Sequence, residues 1–239
     1  YVSFNDELWR IIGVFSEDSH GVSGQKLIKL IRSESLGNIA WDSANTNNWS
    51  TASLQTTLNG DYLNGTGSYV STGIKSDAAR EMIETVTWKL GGTANYESSS
   101  TGLARHFYGY ERGTTVYSGR PTTWSGKVAL MYPSDYGYAT SGGSTTNRES
   151  CLAKELSHWY STSDCYNNDW LLDSSAVLWT LTSNSSYSNG VFFVTSSGHL
   201  NNGSALNGYG VRPSIYLKSN IGISGGTGVS SDPYKLSIQ

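Results

Sequence analysis

Cys151 and Cys165 are the only two cysteines in the chain and its most reactive pair of side chains. Their spacing is too long for a C-x-x-C redox motif, and no second Cys/His pair stands at zinc spacing beside them. His158 follows Cys151 by seven residues, which leaves a Cys/His nucleophile formally open. The even cysteine count favours a disulfide instead. A bridge closing a loop of about 15 residues contributes on the order of 3 kcal/mol. It also implies export, because cytosolic thiols stay reduced.

Other reactive groups have weaker company. Gly222-Ile223-Ser224-Gly225-Gly226 matches the G-x-S-x-G nucleophile pattern. That chemistry needs a strand-to-helix elbow followed by an acid and a histidine. Only Asp232 follows, and no histidine, so the segment reads as a Gly-rich turn. The four histidines, His20, His106, His158 and His199, form no metalloprotease-type pair. Paired carboxylates for glycoside hydrolysis could be drawn from Asp61, Glu81, Glu84, Asp135 and Asp169, and nothing in the sequence selects two of them. The stretch from Asp164 to Trp170, with Asp173 nearby, gathers carboxylates and amides. A hard cation such as calcium takes six to eight oxygen ligands. Asp164, Asn167 and Asp169 are the donors this stretch offers, while Asx turns are the competing explanation. No other cofactor is expected.

Loops mixing Tyr, Trp, Ser, Asn and Gly make adaptable recognition surfaces. Residues 136–147, 159–170 and 183–189 carry that mixture. Tyr136, Tyr138, Trp159, Tyr160, Tyr166, Asn168 and Trp170 are therefore the candidate ligand-binding residues. Trp9, Trp41, Trp124 and Trp179 are expected in the core.

The whole chain narrows the function classes. Its 239 residues are 37% hydrophobic and 12% aromatic, with 16 Lys+Arg against 19 Asp+Glu and a net charge of −3. Low charge with many aromatics argues against disorder. Without clustered basic residues there is no row of cations for phosphates, so nucleic acid is not an expected partner. No amphipathic basic helix or apolar span suggests that this segment touches a membrane. The chain begins at Tyr1 and is read as a trimmed or processed chain with any anchor upstream.

The elements that must position these groups are short. Tyr1–Phe4 and Leu8–Phe15 flank an Asn5-Asp6 turn and predict a hairpin. The aliphatics of Lys26–Arg32 suit a strand. Leu54 and Leu58 at i, i+4 predict a helix capped by Ser50 and stopped at Asn59-Gly60. Further helices are predicted over Asp77–Thr85, Gly102–Glu111 and Leu152–His158, and a strand over Trp88–Leu90. Val128–Tyr132 reads as a buried strand leading into a long ordered loop, Pro133–Arg148. Ala176–Leu181, Val191–Thr195, Val211–Lys218 and Tyr234–Ile238 read as a meander. With no linker or repeat, residues 1–239 are expected to form a single domain.

Three segments resemble a domain family of uncharacterised function found in surface proteins of Gram-positive gut bacteria. They are Phe4–Phe15 (FNDELWRIIGVF), Met131–Ala139 (MYPSDYGYA) and the closing Gly210–Ser219 with Ser231-Asp232-Pro233-Tyr234. Members often follow a prepilin-type segment, so the resemblance implies a pilin-like or adhesin ectodomain at the bacterial cell surface. A looser similarity runs to the C-type-lectin-like fold. That fold includes formylglycine-generating-enzyme-like domains and the variable proteins of diversity-generating retroelements, which also close with a Gly-x-Arg strand, here Gly210-Val211-Arg212. The cysteine-based catalytic context of the formylglycine enzyme is absent from this sequence.

The expected fold is thus α+β and C-type-lectin-like. It has short antiparallel strands, a few short helices, long ordered loops and one disulfide. The expected function is a surface-displayed, pilin-like adhesin, not an enzyme, that binds a host, microbial or glycan ligand. The alternatives are a filament subunit that contacts copies of itself and a glycan-active enzyme.

Overall fold

A computed structural model describes all of Tyr1–Gln239. The opening hairpin follows directly from local chemistry. A two-residue turn matched to strand twist needs positive φ at both central residues, and Asn and Asp tolerate this best among residues with side chains. Asn5 and Asp6 adopt φ of 55° and 60°. They join β1 (Val2–Phe4) to β2 (Glu7–Phe15). Next come β3 (Leu27–Arg32), β4 (Asn38–Ala40), β5 (Val86–Lys89), β6 (Thr123–Gly126) and β7 (Val128–Ala129). The last third supplies β8 (Leu178–Ser183), β9 (Gly190–Val194), β10 (Leu200–Ser204) and β11 (Gly208–Gly210). It ends with β12 (Ser214–Tyr216), β13 (Ile221–Gly225) and β14 (Tyr234–Ile238).

These strands build a seven-stranded sheet in the order β13-β14-β1-β2-β3-β12-β7. A second sheet of five runs β10-β9-β8-β11-β4, and β5 pairs with β6. All pairings are antiparallel except β1–β14 and β8–β11. Seven short helices complete the α+β architecture. They are α1 (Glu17–His20), α2 (Ser53–Thr57), α3 (Asp77–Met82), α4 (Ala104–Arg112), α5 (Pro133–Ala139), α6 (Arg148–Leu152) and α7 (Ser163–Asn167). A disulfide joins Cys151 in α6 to Cys165 in α7.

The middle of the five-stranded sheet is buried on both faces, and its alternating side chains feed two cores. Val191 and Phe193 of β9 join Trp9, Trp41, Trp88 and Trp179 in the larger cluster. Phe192 and Val194 turn the other way and meet Phe107, Tyr136, Trp159 and the disulfide. Trp9, Trp41 and Trp179 are buried as expected, and Trp124 packs against the larger cluster from its edge.

Several segments depart from the sequence reading. The helix expected over Leu152–His158 is instead the end of α6 followed by a 3₁₀ turn, Leu156–Ser161. The helix at Leu54 starts after Ala52 rather than Ser50 and runs on through Asn59-Gly60. The expected meander is divided, with β8 and β9 in the five-stranded sheet and β12 and β14 in the seven-stranded one. The long loop expected over Pro133–Arg148 contains α5 and the start of α6. Pro133 opens α5 with its φ already helical, and Asp135 caps it by accepting the Tyr132 N–H at 2.7 Å. The Gly-rich turn expected around Ser224 is mostly strand β13, with a register shift between Ile223 and Gly225 and the turn itself at Gly226. No helix follows, so Ser224 is not on a nucleophile elbow.

Candidate functional site

One open concave surface is built on a short 3₁₀ turn, Leu156–Ser161. A 3₁₀ turn repeats every three residues, so Leu156 and Trp159 point to the same side. Both are fully buried, and Trp159 packs against Tyr136 with ring centroids 5.4 Å apart. That anchoring turns Ser157, His158 and Tyr160 outward. The disulfide brackets the turn, with α6 before it and α7 after it. Opposite, the turn before β10 presents His199. The buried Tyr136 hydroxyl fixes that turn by donating to the Gly198 carbonyl at 2.8 Å.

Between these turns lies a groove of about 430 Å³. The Tyr160 ring is 53% exposed and stands edge-on to His199 at 5.1 Å, with the His158 ring 6.0 Å away. Asn201 and Glu97 add polar groups to the lining, and Glu97 is its one carboxylate. A neighbouring depression of about 360 Å³ shares Tyr96 and Glu97. Burial, reinforced by the nearby His158 charge, holds the His199 imidazole below its ordinary pKa. His199 is therefore neutral near pH 7, able both to donate and to accept. Its Nδ1 lies 2.9 Å from the Thr195 hydroxyl.

The residues singled out from sequence separate. Tyr160 lies in this groove. Tyr136 and Trp159 do not face a ligand; they are core residues that support the turns, which corrects the sequence reading. Tyr138 is partly exposed at a smaller pocket of about 100 Å³. Tyr166 packs beside Gly198, where any added Cβ would lie 2.2 Å from it. The Asn168 side chain donates to the Asp164 carbonyl. Trp170 stacks under the Arg10 guanidinium at 4.3 Å, in a separate opening of about 490 Å³. Arg212 also lines that opening, but its role is largely structural. It is buried and donates to the carbonyls of Arg32 and Leu171. Burial, then the Arg10 charge, pushes its pKa down to about 10.

Of the three oxygen donors expected for calcium, Asp164 and Asp169 have separate protein partners. One oxygen of Asp164 accepts from both the N–H and the hydroxyl of Thr145 and from the Thr146 N–H, at 2.6–2.7 Å. Asp169 is buried and accepts the Leu171 N–H at 2.8 Å, and burial raises its carboxyl well above the usual range. The Asn167 side chain is exposed. Asp169 thus closes an Asx turn through one oxygen, while its other oxygen, Oδ2, is buried without a partner.

A second cluster of ionisable groups lies inside the protein. Lys29 of β3 is fully buried, and its Nζ donates to Asp135 Oδ2 at 2.5 Å. Glu111 of α4 is also fully buried and accepts from the Ser134 N–H and hydroxyl and from Arg112. Burial pushes Glu111 up to about 8, against the pull of Arg112 and the Ser134 donors.

Comparison of the chain with protein-family models, curated proteins and solved structures finds no match.

Proposed function

We propose that this chain is a surface-displayed binding ectodomain that takes a glycan in the Tyr160–His199 groove. The observation that carries the reading is the half-exposed Tyr160 ring, flanked by His158 and His199 in an open polar cleft. An amphipathic ring offers its face to sugar C–H groups, while imidazoles, Asn201 and Glu97 are matched to hydroxyls. The groove volume falls in the range of small-molecule sites. The disulfide supports an exported setting. The C-type-lectin-like arrangement, pilin-like display and a location at the bacterial cell surface belong to this proposal.

A glycan array with the intact chain and with Tyr160→Ala tests it. The wild type retains a defined subset of glycans. The variant folds normally, because the ring is half exposed, and loses about tenfold in affinity, equivalent to about 1.4 kcal/mol. An array without signal, or a variant that binds like the wild type, refutes the groove.

A filament subunit is the second reading. Strand β13 is a sheet edge, with Ile223 exposed on it and Ile238 and Val229 exposed nearby. Such an edge suits strand pairing with another copy. Electron microscopy showing filaments, with no glycan signal, would favour it over the first reading.

A further inference from the structure

Lys29 occupies a setting that an ordinary ion pair does not need. Its Nζ has a single hydrogen-bond acceptor, Asp135. Aromatic rings surround the rest of it: Tyr132 at 4.2 Å, Trp88 at 5.4 Å, and Phe15 and Tyr216 at 5.8 Å to their centroids. Both partners are withdrawn from water, with side-chain exposures of 0% and 2%. Withdrawing each ion from water is costly, and one hydrogen bond with ring faces returns only part of that cost. Moving one proton from the ammonium to the carboxylate removes both charges. Burial and the nearby Arg112 charge favour the neutral amine, although Asp135 opposes them.

A neutral amine touching a neutral carboxylic acid is the reactant pair for amide formation. Holding the two in contact replaces a bimolecular encounter, and exclusion of water disfavours the reverse hydrolysis. We propose that the Lys29 amine condenses with the Asp135 carboxyl to form an intramolecular amide between β3 and the first turn of α5. The Nζ–Cγ bond forms and one Cγ–O bond breaks. The amine gives up one hydrogen and the carboxyl its hydroxyl, and these leave together as water. No oxidant or co-reactant is needed. The oxygen that stays still accepts the Tyr132 N–H that caps α5. The pocket of about 100 Å³ lined by Phe15, Tyr108, Asp135 and Tyr138 gives the water a way out. The product satisfies the site with no buried charge left on either side chain.

Intact mass spectrometry of the full chain, folded and then reduced at its disulfide, tests this directly. The expected mass is that of the sequence less one water. Tandem spectra of the tryptic digest should join the peptide holding Lys29 to the peptide holding Asp135. Asp135→Ala should return that variant's full sequence mass. Folded wild type at its full sequence mass, with trypsin cutting after Lys29, overturns the proposal. So does an Asp135→Ala chain that still lacks a water, since the link would then lie elsewhere. The wild-type measurement stands even if the variant does not fold.

Discussion

Reducing the Cys151–Cys165 disulfide deletes no heavy atom, so it isolates the contribution of the cross-link. The bridge spans a sequence separation of 14. For a loop this size the chain-entropy cost removed from the unfolded state is about 3 kcal/mol. Both sulfurs are fully buried, so the separated thiols must also be accommodated inside a packed cluster. The assay is a pair of urea melts, oxidised and reduced, followed through tryptophan fluorescence. With a slope of about 2–3 kcal/mol/M, the midpoint should fall by about 1–1.5 M. Hydrogen exchange should show where the loss is felt. Arg148–Asn167 should lose protection before the seven-stranded sheet, because the bracketed 3₁₀ turn depends on α6 and α7. A midpoint shift under about 0.3 M would refute the reasoning and show that Trp159 and Leu156 hold the turn by packing alone.

Two further outcomes follow from buried contacts. Glu111 is raised from 4.5 to about 8 in the folded protein. Between those values the unfolded chain carries fewer protons, so the stability from this group is complete below about 4.5 and lost as pH rises through about 8. Urea melts across that window should show declining stability with rising pH, and Glu111→Gln should flatten the slope. Gly92→Ala places a Cβ 2.0 Å from the Ser183 carbonyl oxygen, a contact that neither backbone can relieve by a rotamer change. It should cost about 1–3 kcal/mol or more, read as a lower thermal midpoint.

The parts of the fold that were legible in the sequence are those fixed by neighbours in the chain. The Asn5-Asp6 hairpin, the helix at Asp77 and the strand at Val191 depend on turn chemistry, capping and local pattern. Helix α5 carries its start signal in Pro133 and Asp135, but the Gly, Ser and Thr that follow suggest a loop. Sheet order was not legible. Placing β12 between β3 and β7, or β11 beside β8, depends on contacts between distant segments. The groove shows the same division. The Tyr- and Trp-rich composition pointed to Tyr160, but equally to Tyr136 and Trp159, which are buried. The three-residue spacing of Leu156 and Trp159 could have told inward from outward. His199 and Glu97 come from distant segments and meet Tyr160 only in the folded chain. A lone lysine inside the aliphatic run LIKLIR was the available hint of a buried ammonium.

The parallel pairing of β1 with β14 determines how the domain bears load. Val2 lies opposite Tyr234 and Ser3 opposite Lys235, so the two strands run in the same direction. Tension applied at Tyr1 and Gln239 therefore draws them lengthwise past one another. Their hydrogen bonds are stretched together, whereas a hairpin pulled at its open end parts one rung at a time. Strand β1 is also clamped on its far side by β2. Traction between the two ends thus meets mechanical resistance within the first few residues of the chain.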